Sequence, residues 1–247
     1  MSEKLQKYGL IGRSLQHSFS AAYFADKFEH LGVNAVYSNY ELAEIAEIVP
    51  LLEAKELSGF NVTIPYKEEI IPYLDQLDDS AKACGAVNTV ALENGKWIGY
   101  NTDVFGFKQS IKPFFKSHHE RSIILGTGGA SKAVAYVLDE LGSDVIFISR
   151  NPQAENHFSY EDINERMLQS CFVIVNCTPV GMYPHEDEKV NIPYEFLNNK
   201  HLCIDLIYRP KETLFLRHAK ANEAVVMNGE TMLHQQAEKA WEIWEKL

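Results

Sequence analysis

Short apolar runs alternate with longer amphipathic stretches along the chain, and the period of each run decides which element it predicts. The N-terminal part reads as strand "YGLIG", helix "FSAAYFADKFEHLG", strand "AVYSNYEL", helix "AEIAEIVPLLEAKE" and a strand opening "GFNVTIPYKEEI". Two further helical stretches follow between Lys67 and Cys84. From Arg121 the rhythm restarts, because "RSIILGTGGASKAVAYVLDELGSDVIFISR" is strand, glycine turn, helix and second strand, a complete βαβ unit. Strands "FVIVNC", "HLCIDLIY" and "AVVMN" continue it, with a helix around "KETLFLRHAKA". In the last helix, "GETMLHQQAEKAWEIWEKL", Met232, Leu233, Ala237, Ala240, Trp241 and Trp244 form an apolar face that must pack on something. This alternation predicts the α/β class, with mainly parallel sheet covered on both faces. The boundary between two domains falls in the loop before Arg121 or in the helix preceding it, since no Gly-, Pro- or Ser-rich linker marks another place.

Composition narrows the function classes. A chain of 247 residues holds one large or two modest domains with real cores. No apolar run is long enough to cross a bilayer, and "MSEKLQKYGLIG" lacks the apolar region and cleavage site of a secretory signal, so a cytoplasmic protein is expected. A net charge of -11 argues against a nucleic-acid backbone as the main partner. Cys84, Cys171, Cys177 and Cys203 have no CxxC spacing and sit mostly in apolar runs, which predicts buried free thiols in a reducing compartment. The histidines show no HExxH or paired Cys/His spacing, so no metal is expected, and His118 and His119 fall in a polar segment read as a loop.

Three stretches carry candidate chemistry. In "GFNVTIPYKEEI", residues 59–70, alternation points Asn61 and Thr63 to one face and assigns Val62 and Ile64 to the core. Pro65 suits a strand end or a helix entry, where Glu68 and Glu69 would be favoured and Lys67 opposed by the macrodipole. Lys67 therefore either turns into water, the default for this stretch alone, or is held for a purpose. In "GAVNTVALENGKWIGYNTD" the Asn94-Gly95 pair predicts a type I′ hairpin with Glu93 facing Lys96. Counting outward puts Asn88 opposite Asn101, with Asp103 on the same face if the strand continues. Asn-Thr and Asn-Thr-Asp are also common caps and turns, but two such clusters meeting across a hairpin favour a site.

The third stretch is "GTGGAS", Gly126 to Ser131, between an apolar strand and a helix, where backbone N–H groups and the helix dipole can cradle a pyrophosphate. The next strand ends "FISRNP". An arginine in that place accommodates the 2′-phosphate of NADP, whereas NAD favours a carboxylate, so Arg150 points to NADP.

Taken together, these separated motifs resemble the shikimate dehydrogenase family over nearly the whole chain. "GRSLQHSFS" resembles the family's HSxS element, which implies that Ser18 and Ser20 hold a substrate carboxylate. "NVTIPYK" implies substrate contacts at Asn61 and Thr63 and a catalytic lysine at Lys67; "AVNT" and "NTD" add Asn88 and Asp103, the latter as the lysine's partner. Gly126, Thr127, Gly128, Gly129, Ala130 and Arg150 fall on the cofactor motifs, and Thr178 lies in "NCTPVGM", similar to the loop on the nicotinamide side. "DLIY" places a substrate-contacting tyrosine at Tyr208, while Gly229 and Met232 fall near the nicotinamide and Gln236 on the substrate. The resemblance implies a substrate domain, 1–103 plus 229–247, and a Rossmann-like NADP domain, 104–228, with the last helix returning to the first.

Some positions depart from the family pattern, including Ala21, Val104, Asn151 and Arg209. The second basic residue after Arg150 is missing, with Gln153 and Ala154 near its place, so NADP preference is expected to be weaker than a two-cation clamp gives. The implied activity is NADP-linked interconversion of 3-dehydroshikimate and shikimate, on the route to chorismate and aromatic amino acids, by a monomer or homodimer. Three alternatives stand beside it: a quinate or dual quinate/shikimate dehydrogenase, a tetrahydrofolate dehydrogenase, and a non-catalytic ligand-sensing module on the same scaffold. The HSxS and NVT elements argue against the second, and retention of both Lys67 and Asp103 against the third.

Overall fold

The computed structural model describes residues 5–16 and 18–247, so His17 of the HSxS element and the start of the chain lie outside the described residues. Two compact units are present, Met1–Thr102 with Gln236–Leu247, and Asp103–Gln235. The sequence-based domain assignment gave all of 229–247 to the first domain, whereas the compact units divide within the last helix.

The first unit carries strands β1 (Gln6–Gly12), β2 (Ala35–Glu41), β3 (Gly59–Val62), β4 (Gln76–Leu77), β5 (Thr89–Glu93) and β6 (Lys96–Tyr100), with helices α1 (Phe19–Leu31), α2 (Val49–Ala54) and α3 (Asp79–Cys84). The sheet order is β2-β1-β3-β5-β6-β4. It is mixed: β1 pairs parallel with β2 and β3, while β5 runs antiparallel to both β3 and β6. The antiparallel part follows from the hairpin, whose Asn94 and Gly95 take φ 51° and 78° and set Glu93 against Lys96. Helix α1 stops at Gly32, which takes the left-handed conformation at φ 64°. Asp78 caps α3 by accepting from the Ala81 N–H, and Gly85 ends it. The expected helix 43–56 is instead a 3₁₀ turn, Ile45–Ile48, followed by α2. Pro50 lacks an N–H to donate, so it is accommodated in the first turn of a new helix rather than inside a longer one.

The second unit carries α4 (Thr102–Ile111, its first residue in the first unit), β7 (Arg121–Leu125), α5 (Gly129–Glu140), β8 (Asp144–Ile148), β9 (His157–Phe158), α6 (Glu165–Ser170) and β10 (Val173–Asn176). It continues through β11 (Leu202–Asp205), α7 (Leu214–Ala221), β12 (Val225–Met227) and the start of α8 (Glu230–Trp244), whose end belongs to the first unit. All its pairings are parallel, in the order β12-β11-β10-β7-β8-β9. Counted from β7 this is the doubly wound dinucleotide-binding arrangement, whose ligand crevice lies at the carboxyl ends of the strands where the order reverses, here between β7 and β10. Buried Ile123, Leu125, Ile148, Ile174, Cys203, Phe215 and Leu216 fill its core.

His119, in a loop as expected, and His201 are both buried in this unit. In His201 one ring nitrogen accepts from the Asn198 N–H (3.0 Å) and the other faces the Leu168 carbonyl (2.9 Å). His119 is held likewise between the Lys116 N–H (3.0 Å) and the Lys200 carbonyl (3.3 Å). Each ring must be neutral to keep its accepting nitrogen, and burial lowers both pKa values. The unfolded chain then binds more protons below about pH 6.5, so stability is expected to fall as pH drops through that value. The slope is at most about 1.4 kcal/mol per pH unit for each histidine. Buried Asp205 acts in the opposite sense, because its pKa is raised to about 6 and its ionised form costs stability as pH rises through that value. Thermal melts of wild type and His201→Gln between neutral and mildly acidic pH check this, and parallel melting curves for the two proteins would contradict it.

Candidate active site

In the first unit the sequence-marked Asn61, Asn88 and Gln236 join one hydrogen-bond network. Asn61 on β3 is 5% exposed. Its Nδ2 donates to the Asn88 carbonyl (3.2 Å) and Thr89 Oγ1 (3.0 Å), and its Oδ1 accepts from Tyr37 Oη on β2 (2.8 Å). Asn88 lies just before β5, and its Oδ1 accepts from the Thr102 N–H (2.7 Å) and Thr102 Oγ1 (3.1 Å). Its Nδ2 reaches Gln236 Oε1 on α8 at 3.5 Å. Thr63 follows the end of β3, with its N–H on the Ile11 carbonyl (2.9 Å). Gly12 makes room for it, since an added Cβ would stand 2.7 Å from Thr63 Cγ2. Ser18 precedes α1 in extended conformation, and its buried Oγ has no partner among the described residues. An orphaned hydroxyl of this kind fits a ligand acceptor such as a carboxylate.

Several local expectations fail. Ile64 is 75% exposed rather than in the core, because β3 ends at Val62 and residues 64–70 run through successive turns. Lys67 therefore sits in a turn and not at a helix entry, so no macrodipole opposes its charge. It is half-buried, and the Val87 N–H donates to its carbonyl at 2.7 Å. The hairpin count itself holds, because Thr89 pairs with Tyr100 and the next step outward sets Asn88 against Asn101, whose amide donates to the Ala86 carbonyl at 2.9 Å. Asp103 does not extend the strand; it lies in the first turn of α4, buried, where the helix dipole favours a carboxylate. Lys67 falls in the first unit and Asp103 opens the second.

In the second unit, Gly126 at the end of β7 takes φ 100°, a conformation suited to glycine, and an added Cβ would meet Thr178 Cγ2 at 2.9 Å. Thr127 and Gly128 are exposed, and Gly128 begins α5 with no side-chain cap on its N–H groups. A Cβ on Gly128 would meet nothing within 4 Å, leaving room for a phosphate against Gly129 and Ala130 at the helix start. The Gly126 N–H bonds the Ile148 carbonyl of β8 at 2.8 Å, and exposed Arg150 stands two residues beyond that strand. A pyrophosphate cradle and a cation at the neighbouring strand end fit a dinucleotide carrying a 2′-phosphate.

Thr178 is positioned by a group that sequence reasoning missed. Its N–H and Oγ1 lie 3.0 and 2.6 Å from Asn176 Oδ1, and Asn176 Nδ2 donates to Asp205 at 3.0 Å. Asp205 also accepts from Thr213 Oγ1 (2.6 Å) and the Ile207 N–H (3.1 Å). Burial nevertheless raises its pKa to about 6, these donors opposing the shift. A carboxylate inside the apolar run "HLCIDLI" was the available signal. Tyr208, half-buried, follows β11. Gly229 allows a close backbone approach, since a Cβ there would lie 2.0 Å from the Leu206 carbonyl oxygen, and Met232 is buried. Tyr37, Thr89 and Thr102 were also missed; each looks like an ordinary strand or capping residue. The four cysteines are free, with Cys84, Cys171 and Cys203 buried and Cys177 partly so. Among the described residues no cluster of His, Cys, Asp or Glu could hold a metal, and no helix is long and apolar enough to cross a membrane.

Residues 10–90 match the model of the shikimate dehydrogenase substrate binding domain. A shikimate dehydrogenase (NADP(+)) of Aquifex aeolicus is 39% identical over 253 residues, covering 99% of this chain and 93% of that relative. The crystal structure of a shikimate 5-dehydrogenase from Thermus thermophilus in complex with NADP(H) and shikimate is similar, with a TM-score of 0.86 and 31% identity over 98% of this chain and 94% of that one. A quinate dehydrogenase from Corynebacterium glutamicum in complex with NAD is similar with a TM-score of 0.87, at 28% identity over 99% and 95% of the two chains. Identity at this level over nearly the full length of both sequences places the chain in the shikimate dehydrogenase family.

Proposed function

We propose that this chain catalyses the NADP-linked interconversion of 3-dehydroshikimate and shikimate, the step that feeds chorismate and aromatic amino-acid synthesis. The observation that carries the reading is the co-occurrence of a polar network built from Asn61, Asn88, Thr102 and Gln236 with a glycine cradle flanked by Arg150. When bound, NADPH supplies the hydride that reduces the ketone. Gly126, Thr127, Gly128, Gly129 and Ala130 would hold its pyrophosphate, Arg150 its 2′-phosphate, and Thr178, Gly229 and Met232 its nicotinamide side. We assign these cofactor roles to residues of the second unit, and the substrate-holding roles to residues of the first unit together with Tyr208 of the second.

Lys67 donates the proton to the developing alkoxide, and its positive charge stabilises that oxygen beforehand. We assign Asp103 as the second catalytic group. Ser18 and Ser20 bind the carboxylate, while Thr63, Asn88, Tyr208 and Gln236 recognise the ring hydroxyls, with Asn61 standing behind them. Each fixed donor or acceptor penalises an analogue that lacks its partner. The net charge of -11 supports small-molecule rather than nucleic-acid partners, and we assign a cytoplasmic monomer or homodimer.

Product analysis after mixing the protein with 3-dehydroshikimate and NADPH tests the reading. Shikimate is the expected product; no reduction, despite ligand binding, would favour a sensing module instead. Arg150→Ala is expected to raise the KM for NADP+ by about 10–100-fold, the worth of a charge-assisted contact, and to leave NAD+ nearly unchanged. Equal losses for both cofactors in steady-state assays would contradict the phosphate contact.

A further inference from the structure

We propose that Tyr37 is a positioning residue of the substrate site, and that its hydroxyl locks the Asn61 amide so that Asn61 serves the site as a brace rather than as a donor to substrate. The inference rests on the function proposed above. It follows from the hydrogen-bonding capacity of the amide, which has N–H donors on one side and a carbonyl acceptor on the other. The Asn88 carbonyl can only accept, so Asn61 Nδ2 must face it, at 3.2 Å. The remaining N–H goes to Thr89 Oγ1 at 3.0 Å. Asn61 Oδ1 is thereby turned towards Tyr37 Oη, 2.8 Å away, and the phenol must donate. With both N–H groups committed and the residue buried, Asn61 keeps no donor for a ligand hydroxyl.

The same logic fixes the groups on either side. Tyr37 has one proton, and it is spent on Asn61. Burial raises the pKa of the phenol, which keeps it protonated and able to donate. On the other side, Thr89 accepts from Asn61 and donates onward to Asn88 Oδ1 (3.2 Å) or to Thr102 Oγ1 (3.1 Å). Asn88 Oδ1 is occupied by Thr102, which leaves the Asn88 N–H groups directed at Gln236 and the substrate. One half-buried phenol thus braces the amide that presents Asn88.

Tyr37→Phe isolates the effect, because the ring stacks on Phe24 at 4.7 Å with planes 13° apart and that packing survives loss of the hydroxyl. The KM for shikimate is expected to rise about tenfold while the KM for NADP+ stays within about twofold. A merely structural role would lower the melting temperature and leave the two KM values in their wild-type ratio; that outcome, or an unchanged KM for shikimate, overturns the proposal. NMR of the Asn61 side-chain amide in the ligand-free chain gives a readout independent of turnover. Its protons should exchange slowly in wild type and faster in Tyr37→Phe, and equal exchange also overturns the proposal. Failure of wild type to oxidise shikimate would instead sink the proposed function, with the exchange measurement still deciding whether Tyr37 locks Asn61.

Discussion

Lys67→Ala is expected to lower turnover with shikimate and NADP+ by about 10²–10⁴-fold, the usual worth of a positioned acid or base. The KM for NADP+ should change far less, because the account gives Lys67 no cofactor contact. The main chain around it should survive the substitution, since the Val87 N–H holds the Lys67 carbonyl at 2.7 Å and buried Tyr66 donates to the Leu42 carbonyl at 2.6 Å. Lys67→Arg separates the two roles of the ammonium. A guanidinium keeps the positive charge but gives up no proton at working pH, so this variant should remain slow if proton transfer matters. Recovery of most turnover in Lys67→Arg would reduce the role to electrostatic stabilisation, and near-normal turnover in Lys67→Ala would remove the residue from catalysis. Steady-state kinetics of both variants beside wild type decide among these outcomes.

Trp244→Ala is expected to destabilise the first unit by about 3–5 kcal/mol, the range for emptying a large aromatic site in a core. Trp244 is 1% exposed and stacks on Tyr8 with ring centroids 4.7 Å apart and planes 27° apart. Phe24 lies 5.2 Å away on the same cluster. Its indole N–H also donates to the Val90 carbonyl at 3.0 Å, which the substitution leaves without that donor. Gly59 shows how closely the indole is seated, because a Cβ there would stand 2.3 Å from Nε1. Domain stabilities are commonly about 5–15 kcal/mol, so this single loss is a large fraction of the whole. Urea unfolding followed by circular dichroism should show a lower midpoint, accompanied by weakened shikimate binding because α8 carries Gln236. An unchanged midpoint would mean that the C-terminal helix does not anchor the first unit. The two compact units make a two-state fit inappropriate unless a single transition is observed.

These outcomes also mark what could be read from the sequence. The hairpin was legible because Asn94-Gly95 demands φ above zero at both positions, and the structure gives 51° and 78° with Glu93 opposite Lys96. The βαβ unit around Gly126 was legible for a similar reason, since a glycine turn between an apolar strand and an amphipathic helix has few other uses. The apolar face of the last helix was visible in its spacing, but its partners Tyr8, Phe24 and Phe28 were not. Periodicity assigned Ile64 to the core, yet a strand's alternation stops where the strand stops, and β3 ends at Val62. Likewise Asp103 was extrapolated along a strand that gives way to α4. The brace formed by Tyr37 could not be read because its partner Asn61 lies 24 residues away on a strand that β1 separates from β2 in the sheet, and sequence spacing carries no information about that contact.

The most direct measurement is the initial rate of NADP+ reduction by wild-type protein with shikimate, run beside quinate and repeated with NAD+. The account predicts fast turnover with shikimate and NADP+, a much slower rate with quinate, and a preference for NADP+ over NAD+ tempered by the missing second cation after Arg150. Turnover chiefly with quinate or NAD+ would keep the family and contradict the proposed reaction.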